Sequence, residues 1–255
     1  MNLQLDGRNF LVTAASRGLG FGVAKALVEE DANVIICGRN EKSLQDATAS
    51  LGDKCQYFVS DVSHPADVTA LLDFTKAQTS KLDGLFVNAG GPNPGTFDEI
   101  SDDDWIKGFN LTVMSAIRLT REAIPLLKKS DAASILYSTS ISVKQPLDNL
   151  LLSNSLRPVV IGMMRTLSEE IGPKGIRLNA VCPGYIHTER VEQLMAAAKA
   201  KGAPADKEIV QRIPLGRMGT TDEFGNVCTF LLSPLASYIH GALLLVDGGL
   251  FKGMM

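Results

Sequence analysis

Short apolar runs of buried-strand type alternate with longer amphipathic stretches along almost the whole chain, and this alternation narrows the possible folds more than any other feature. Phe10-Leu11-Val12, Asn33 to Cys37, Cys55 to Ser60, Leu85-Phe86-Val87, Ser134 to Ser138, Arg177 to Val181 and Ala242 to Val246 read as strands. Between them the apolar period predicts helices over 18–30, 41–51, 64–81, 102–128, 155–171 and 222–232. Strands of this kind are buried on both faces, which requires a parallel sheet covered by helices on either side. With right-handed crossovers the result is a Rossmann-type, doubly wound α/β sheet of about seven strands. At 255 residues and 45% hydrophobic content, one domain spanning 1–255 is expected, with no internal repeat or linker.

Charge and cysteine usage remove several classes. The net charge of -3 and the lack of a basic run give no general attraction to nucleic acid or an anionic membrane. No apolar run approaches membrane-spanning length, and the first residues carry no cationic segment followed by an apolar one, so a cytoplasmic protein is expected. Cys37, Cys55, Cys182 and Cys228 are scattered, as are His64, His187 and His240, so neither a disulfide framework nor a metal site is suggested.

In an open α/β sheet, ligands bind beyond the carboxyl ends of the strands. After the first strand stands Thr13-Ala14-Ala15-Ser16-Arg17-Gly18-Leu19-Gly20, opening a helix. A helix N-terminus offers unpaired N–H groups and partial positive charge to an anion, and Gly18 and Gly20 let a pyrophosphate approach the backbone. A plain structural turn is the alternative for these two glycines taken alone. After the second strand comes Gly38-Arg39-Asn40. An acidic residue there would suit a free ribose, whereas Arg39, with Arg17, suits a 2′-phosphate and favours NADP over NAD; two solvated side chains are the plainer alternative. Asp61-Val62 follows the third strand and Asn88-Ala89-Gly90 the fourth.

This ordered set resembles the short-chain dehydrogenase/reductase family over nearly the full length. The matching residues are the Thr13–Gly20 turn, Asp61, Asn88-Ala89-Gly90, Asn110, Ser140, Pro183-Gly184-Tyr185-Ile186-His187-Thr188 and Val246-Asp247-Gly248-Gly249. The last segment, with Pro214 to Gly219, is similar to the β-ketoacyl-acyl-carrier-protein reductase branch. The resemblance implies an NADP(H)-dependent oxidoreductase acting on a small carbonyl compound, and a homodimer or homotetramer. It places Ser16, Arg17 and Leu19 at the phosphate turn and Asp61 and Val62 beside the adenine. It places Asn88, Ala89 and Gly90 beside the adenine-side ribose and pyrophosphate, and Pro183, Gly184, Ile186 and Thr188 along the nicotinamide. Ala14 replaces a family glycine, which is harmless unless the position needs positive φ.

The match fails at the proton donor. The family's Y-x-x-x-K motif falls on Ser153 and Arg157. A tyrosine starts near pKa 10, whereas a serine hydroxyl is far too weak an acid to lose its proton without a base. Arg157 keeps the positive charge and can donate to ribose hydroxyls but cannot act as a base. Pro158 predicts a late helix start, with Ser153 or Asn154 near the N-cap and residues 153 and 157 off a common face. Ser140 and Asn110 remain as carbonyl-polarising and water-positioning residues by resemblance. Tyr185 and His187 are alternative acids or pocket lining, while the Tyr137/Lys144 spacing is read as accidental. A helical lid is expected over about 188–215, with a solvated helix as the alternative. Two functions stay open: an atypical carbonyl reductase with Ser140, Asn110, Ser153 and Arg157 in its site, or a catalytically silent NADP(H)-binding sensor or scaffold.

Overall fold

All seven expected strands form and pair in parallel, in the order β3-β2-β1-β4-β5-β6-β7. They are β1 (Asn9–Val12), β2 (Asn33–Gly38), β3 (Cys55–Val59), β4 (Gly84–Val87), β5 (Ser134–Ser138), β6 (Arg177–Pro183) and β7 (Leu243–Val246). The computed structural model describes residues 2–200 and 206–254. Side chains alternate across the sheet as the pleat requires. Phe10, Val12, Val34, Ile36 and Phe86 fill a core on one face, packed by α1 (Gly18–Glu29), α2 (Glu41–Leu51) and α9 (Thr221–Leu232). Leu11, Ile35, Leu85 and Ile135 fill the other. That second face is covered by α3 (Pro65–Gln78), α5 (Ser115–Leu127) and α6 (Leu151–Ile171). The two remaining helices of the carboxyl-edge segment are α7 (Glu189–Ala200) and α8 (Asp206–Gln211). Residues 201–205 of the expected lid, with Gly202 and Pro204, lie outside the described residues.

The predicted helix over 102–128 is interrupted. α4 (Asp102–Phe109) passes into a π-helical turn at Asn110–Met114 before α5 begins, and the Ser115 N–H donates to Asn110 O, five residues back. Such insertions are rare and concentrate at functional sites.

The start of α6 corrects the expectation drawn from Pro158. The helix begins at Leu151, so Ser153 lies inside its first turn and Pro158 is its eighth residue. An interior proline costs about 3 kcal/mol, but fully burying a leucine contributes about 1.5–3 kcal/mol. Leu152 and Leu156, 0% and 6% exposed, are two such residues in the same two turns. The first turn is also anchored: Leu151 N donates to Gly95 O, and the Asn154 amide brackets Leu147 through both its N–H and its carbonyl. Packing and these ties outweigh the proline.

Candidate active site at the carboxyl edge

The strand order reverses between β1 and β4, which opens a crevice at their carboxyl ends. Asn88 ties the two strands together there. Its N–H donates to Thr13 Oγ1 (2.9 Å), the Thr13 hydroxyl donates to Asn88 O (2.7 Å), and Asn88 Nδ2 donates to Thr13 O and Ala14 O (3.3 and 3.2 Å). Ala14 sits at φ 49°, in the left-handed region where a Cβ is strained. The substitution of the family glycine thus falls where positive φ is needed. Gly18, at φ 63°, opens α1, and a Cβ on Gly20 would stand 2.5 Å from Ala14 O. Both glycines are fixed by backbone geometry rather than by composition. The α1 N-terminus has no side-chain cap from Arg17, so its first N–H groups face the crevice. Beyond it, a Cβ on exposed Gly90 would meet nothing within 4 Å, while Asn88 and Ala89 are half-buried. An open floor below an uncapped helix N-terminus fits a dinucleotide.

On the outer side, Arg39 is exposed at the end of β2, with Nη1 4.0 Å from Asp61 Oδ2. Burial would raise the Asp61 pKa, but hydrogen bonds from Ser63 N and Oγ (3.0 and 2.8 Å), with the Arg39 and His64 charges, hold it below the usual carboxylate value. Val62 turns its side chain into the core. Arg17 is not free: its guanidinium pairs with Glu189, the first residue of α7. Half-buried Ser16 lies against Gly38, 3.4 Å from where its Cβ would be, and Leu19 is half-buried and packed on the core.

On the inner side the serines converge with Arg157. Ser153 and Arg157 do share a face of α6: Arg157 Nε donates to Ser153 Oγ at 3.0 Å. Arg157 Nη1 donates to Thr139 O (2.9 Å) and Ser138 O (3.3 Å), at the end of β5. Burial, reinforced by Arg190, pushes its pKa down to about 10. Ser142 Oγ, which sequence reasoning missed, lies 3.3 Å from Ser153 Oγ, and Ser140 Oγ accepts from Ser142 N (3.0 Å). Behind them is a cavity of about 20 Å³ lined by Asn88, Gly90, Thr112, Ser115, Thr139 and Arg157. A larger hollow of about 250 Å³, lined by Asn33, Asp53 and Lys54 among others, lies at the amino-terminal edge, the wrong end of a parallel sheet for such a ligand. Asn110 stands at the π turn, its Oδ1 accepting from Arg118 Nη2 at 3.4 Å.

The end of β6 and the segment after it carry the four residues expected along the nicotinamide. Gly184 N donates to Val246 O as β6 ends at Pro183. Ile186 is buried and bridges to Gly219, and Thr188 Oγ1 accepts from Val191 N at the start of α7, above Gly18. The alternative acids are poorly placed. Tyr137 is buried in the core against Thr120 Oγ1 (2.8 Å), with its pKa pushed up by burial, and Lys144 is exposed. Tyr185 packs in a cluster with Ile141, Ile213 and Leu250 and its pKa is likewise raised by burial. His187 is exposed, 3.3 Å from Glu192 Oε1. The four cysteines are free and buried, and no metal-ligand group exists among the described residues. No helix among them is long and apolar enough to cross a membrane.

A parallel sheet with this order and a glycine-rich turn at its switch point defines a Rossmann-type dinucleotide-binding protein. Residues 13–251 match the family model described as enoyl-(acyl carrier protein) reductase. Dehydrogenase/reductase SDR family member 4 of Caenorhabditis elegans is 30% identical over 254 residues, covering 96% of both chains. The 3-oxoacyl-acyl-carrier-protein reductase of Chlamydia muridarum is 31% identical over 255 residues, covering 98% of this chain and 100% of its own. L-sorbose reductase of Gluconobacter frateurii, solved with NADPH and L-sorbose, superposes with a TM-score of 0.92 at 27% identity over 100% of both chains. An NADPH-bound short-chain oxidoreductase of Pseudomonas aeruginosa PAO1, described as containing an atypical catalytic center, gives 0.89 at 28% identity over 97% of this chain and 99% of its own. The chain belongs to the short-chain dehydrogenase/reductase family, and within it resembles the 3-oxoacyl-acyl-carrier-protein reductases.

Proposed function

We propose that the protein is an NADP(H)-dependent carbonyl reductase in which Ser153 and Arg157 stand in for the tyrosine and lysine of its relatives. The observation that carries this is the Arg157 Nε to Ser153 Oγ hydrogen bond at the inner end of the crevice. When bound, the reduced nicotinamide supplies hydride to the carbonyl carbon. Thr13, Ser16, Arg17, Gly18, Leu19 and Gly20 would hold its pyrophosphate, with Arg39 at the 2′-phosphate and Asp61 and Val62 at the adenine. Asn88, Ala89 and Gly90 would hold the ribose, and Pro183, Gly184, Ile186 and Thr188 the nicotinamide end.

The chemistry left to the chain is stabilising the developing alkoxide. An oxygen that accepts from a guanidinium becomes a stronger donor through its own O–H. Ser153 is therefore polarised by Arg157 to donate to a substrate carbonyl, with Ser140 as a second donor and the Ser142 hydroxyl 3.3 Å from Ser153 Oγ. Arg157 cannot itself give up a proton, so the proton comes from solvent along these hydroxyls. Helix α7 would form part of the lid. Exposed Val159 on α6 and exposed Phe109 at the end of α4 suit a homodimer or homotetramer contact.

One feature favours the second reading, a silent NADP(H)-binding protein: Ser153 is only 7% exposed, and its oxygen is shared between Arg157 and Ser142. NADPH oxidation with a panel of ketones, aldehydes, quinones and acyl thioesters, beside an NADPH titration, separates the two. Turnover lost in Ser153→Ala and Arg157→Met, with NADPH still bound, supports the reductase. Tight NADPH binding with turnover only in a Ser153→Tyr/Arg157→Lys variant makes the protein a binder.

A further inference from the structure

The crevice holds a second arginine that the sequence did not single out. Arg190, on the first turn of α7, lies over Gly91, with Nε and Nη2 each 3.3 Å from where a Cβ on that glycine would stand. Its Nη2 donates to Pro92 O at 2.9 Å. Gly90, the preceding residue, lines the same small cavity as Arg157. We propose that Arg190 and Arg157 together bind an anionic group of the substrate, a carboxylate or a phosphate carried close to the carbonyl that is reduced. This rests on the reductase reading above.

Every acceptor of the pair is neutral. Arg157 donates to Ser153 Oγ and to the carbonyls of Ser138 and Thr139, and Arg190 to the carbonyl of Pro92. Among the described residues no carboxylate pairs with either guanidinium. The acids of the same segment are engaged elsewhere, Glu189 with Arg17 and Glu192 beside His187. Burial lowers the pKa of both arginines, and the Arg190 charge adds to the lowering at Arg157. Two cations drawn out of water at the same loop without a counter-charge are costly, and an anion that reaches both would offset that cost. Guanidinium forks match carboxylate and phosphate oxygens in a paired geometry. Because Arg157 is bonded to Ser153, the anion sits within a few bonds of the reacting carbonyl. The substrate class is therefore a 2-oxo or 3-oxo acid, or a phosphorylated ketone. The dinucleotide pyrophosphate is already provided for at the α1 N-terminus.

The test is NADPH oxidation with matched pairs: an oxo acid against its methyl ester, and a phosphorylated ketone against its dephosphorylated form. The anionic member of one pair should be preferred in kcat/KM by roughly 10- to 100-fold, the range of a charge-assisted hydrogen bond, and which pair shows it identifies the anion. Arg190→Met should bring that ratio towards one, chiefly through KM, and Arg190→Lys should restore part of it. NADPH affinity, followed by its fluorescence, should hold in both variants. A ratio near one in the unmodified protein, or one that survives Arg190→Met, overturns the proposal. A fall in NADPH affinity in step with turnover assigns Arg190 to the cofactor and also overturns it. If no ketone is reduced, titrating the NADP-bound protein with the anionic and neutral members still decides. Saturable binding of an anion alone, lost in Arg190→Met, retains the arginine pair and sinks only the reductase reading. Equal binding, or none, sinks the pair.

Discussion

Ala14→Gly should make the protein more stable, although glycine is normally the destabilising choice. Ala14 is held at φ 49° by the turn, where Asn88 fixes its carbonyl and Gly20 packs against it. Holding a Cβ in the left-handed region costs about 1–2 kcal/mol. The glycine variant loses that strain but gains about 0.5–1 kcal/mol of freedom in the unfolded chain. The net gain is about 0.5–1 kcal/mol, which for a chain of this size raises Tm by about 1–4 °C. The control is Ala24→Gly, the same chemical change in the buried interior of α1, which should lower Tm by a similar amount or more. Thermal unfolding by circular dichroism, on matched samples without cofactor, reads both. If Ala14→Gly leaves Tm unchanged or lowers it alongside the control, the turn does not carry the strain assigned to it.

Arg39→Asp should weaken NADPH binding by about 10- to 100-fold, as expected for losing a charge-assisted contact and adding repulsion, and leave NADH binding unchanged or tighter; equal loss for both would show that Arg39 does not meet the 2′-phosphate. Asp131 offers a pH test far from the site. A hydrogen bond from Arg8 (2.8 Å), helped by its charge, holds the Asp131 carboxyl down to about 2, below the ordinary 3.8. A depressed carboxylate pKa contributes stability above the unfolded value and loses it as pH falls through the folded one. The Tm gap between the protein and Asp131→Asn should therefore be full at pH 5 and close between about pH 4 and pH 2. A gap that stays constant across that range refutes the assignment.

How much of this was legible in the residues depends on whether a signal is local. The strands stood out because a sheet buried on both faces leaves uninterrupted apolar runs such as Phe10-Leu11-Val12, and the glycine turn because Gly18 is demanded by its own positive φ and Gly20 by the backbone of Ala14 and Ala15 just before it. The start of α6 was misread because Pro158 is a strong local signal, while the burial of Leu152 and Leu156 and the tie to Gly95 come from distant parts of the chain. The shared face of Ser153 and Arg157 was missed for the same reason. Arg190 carries no motif, and its place over Gly91 arises only when the segment after β6 folds back on the loop after β4. The π turn has no composition of its own.

That turn has a consequence for how the site is tied to its scaffold. An α-helix advances about 100° and 1.5 Å per residue, so one residue accommodated within Asn110–Met114 shifts the angular phase of everything after it relative to α4. Downstream of the offset, Ala116, Leu119, Ala123, Leu126 and Leu127 still line up on the sheet, while upstream Asn110 keeps its own bearing towards Arg118. The position of Asn110 is thus encoded partly as a count of residues, which point substitutions leave intact. Removing a single residue from 110–114 would restore an unbroken register and swing either Asn110 or the core stripe about a third of a turn out of place.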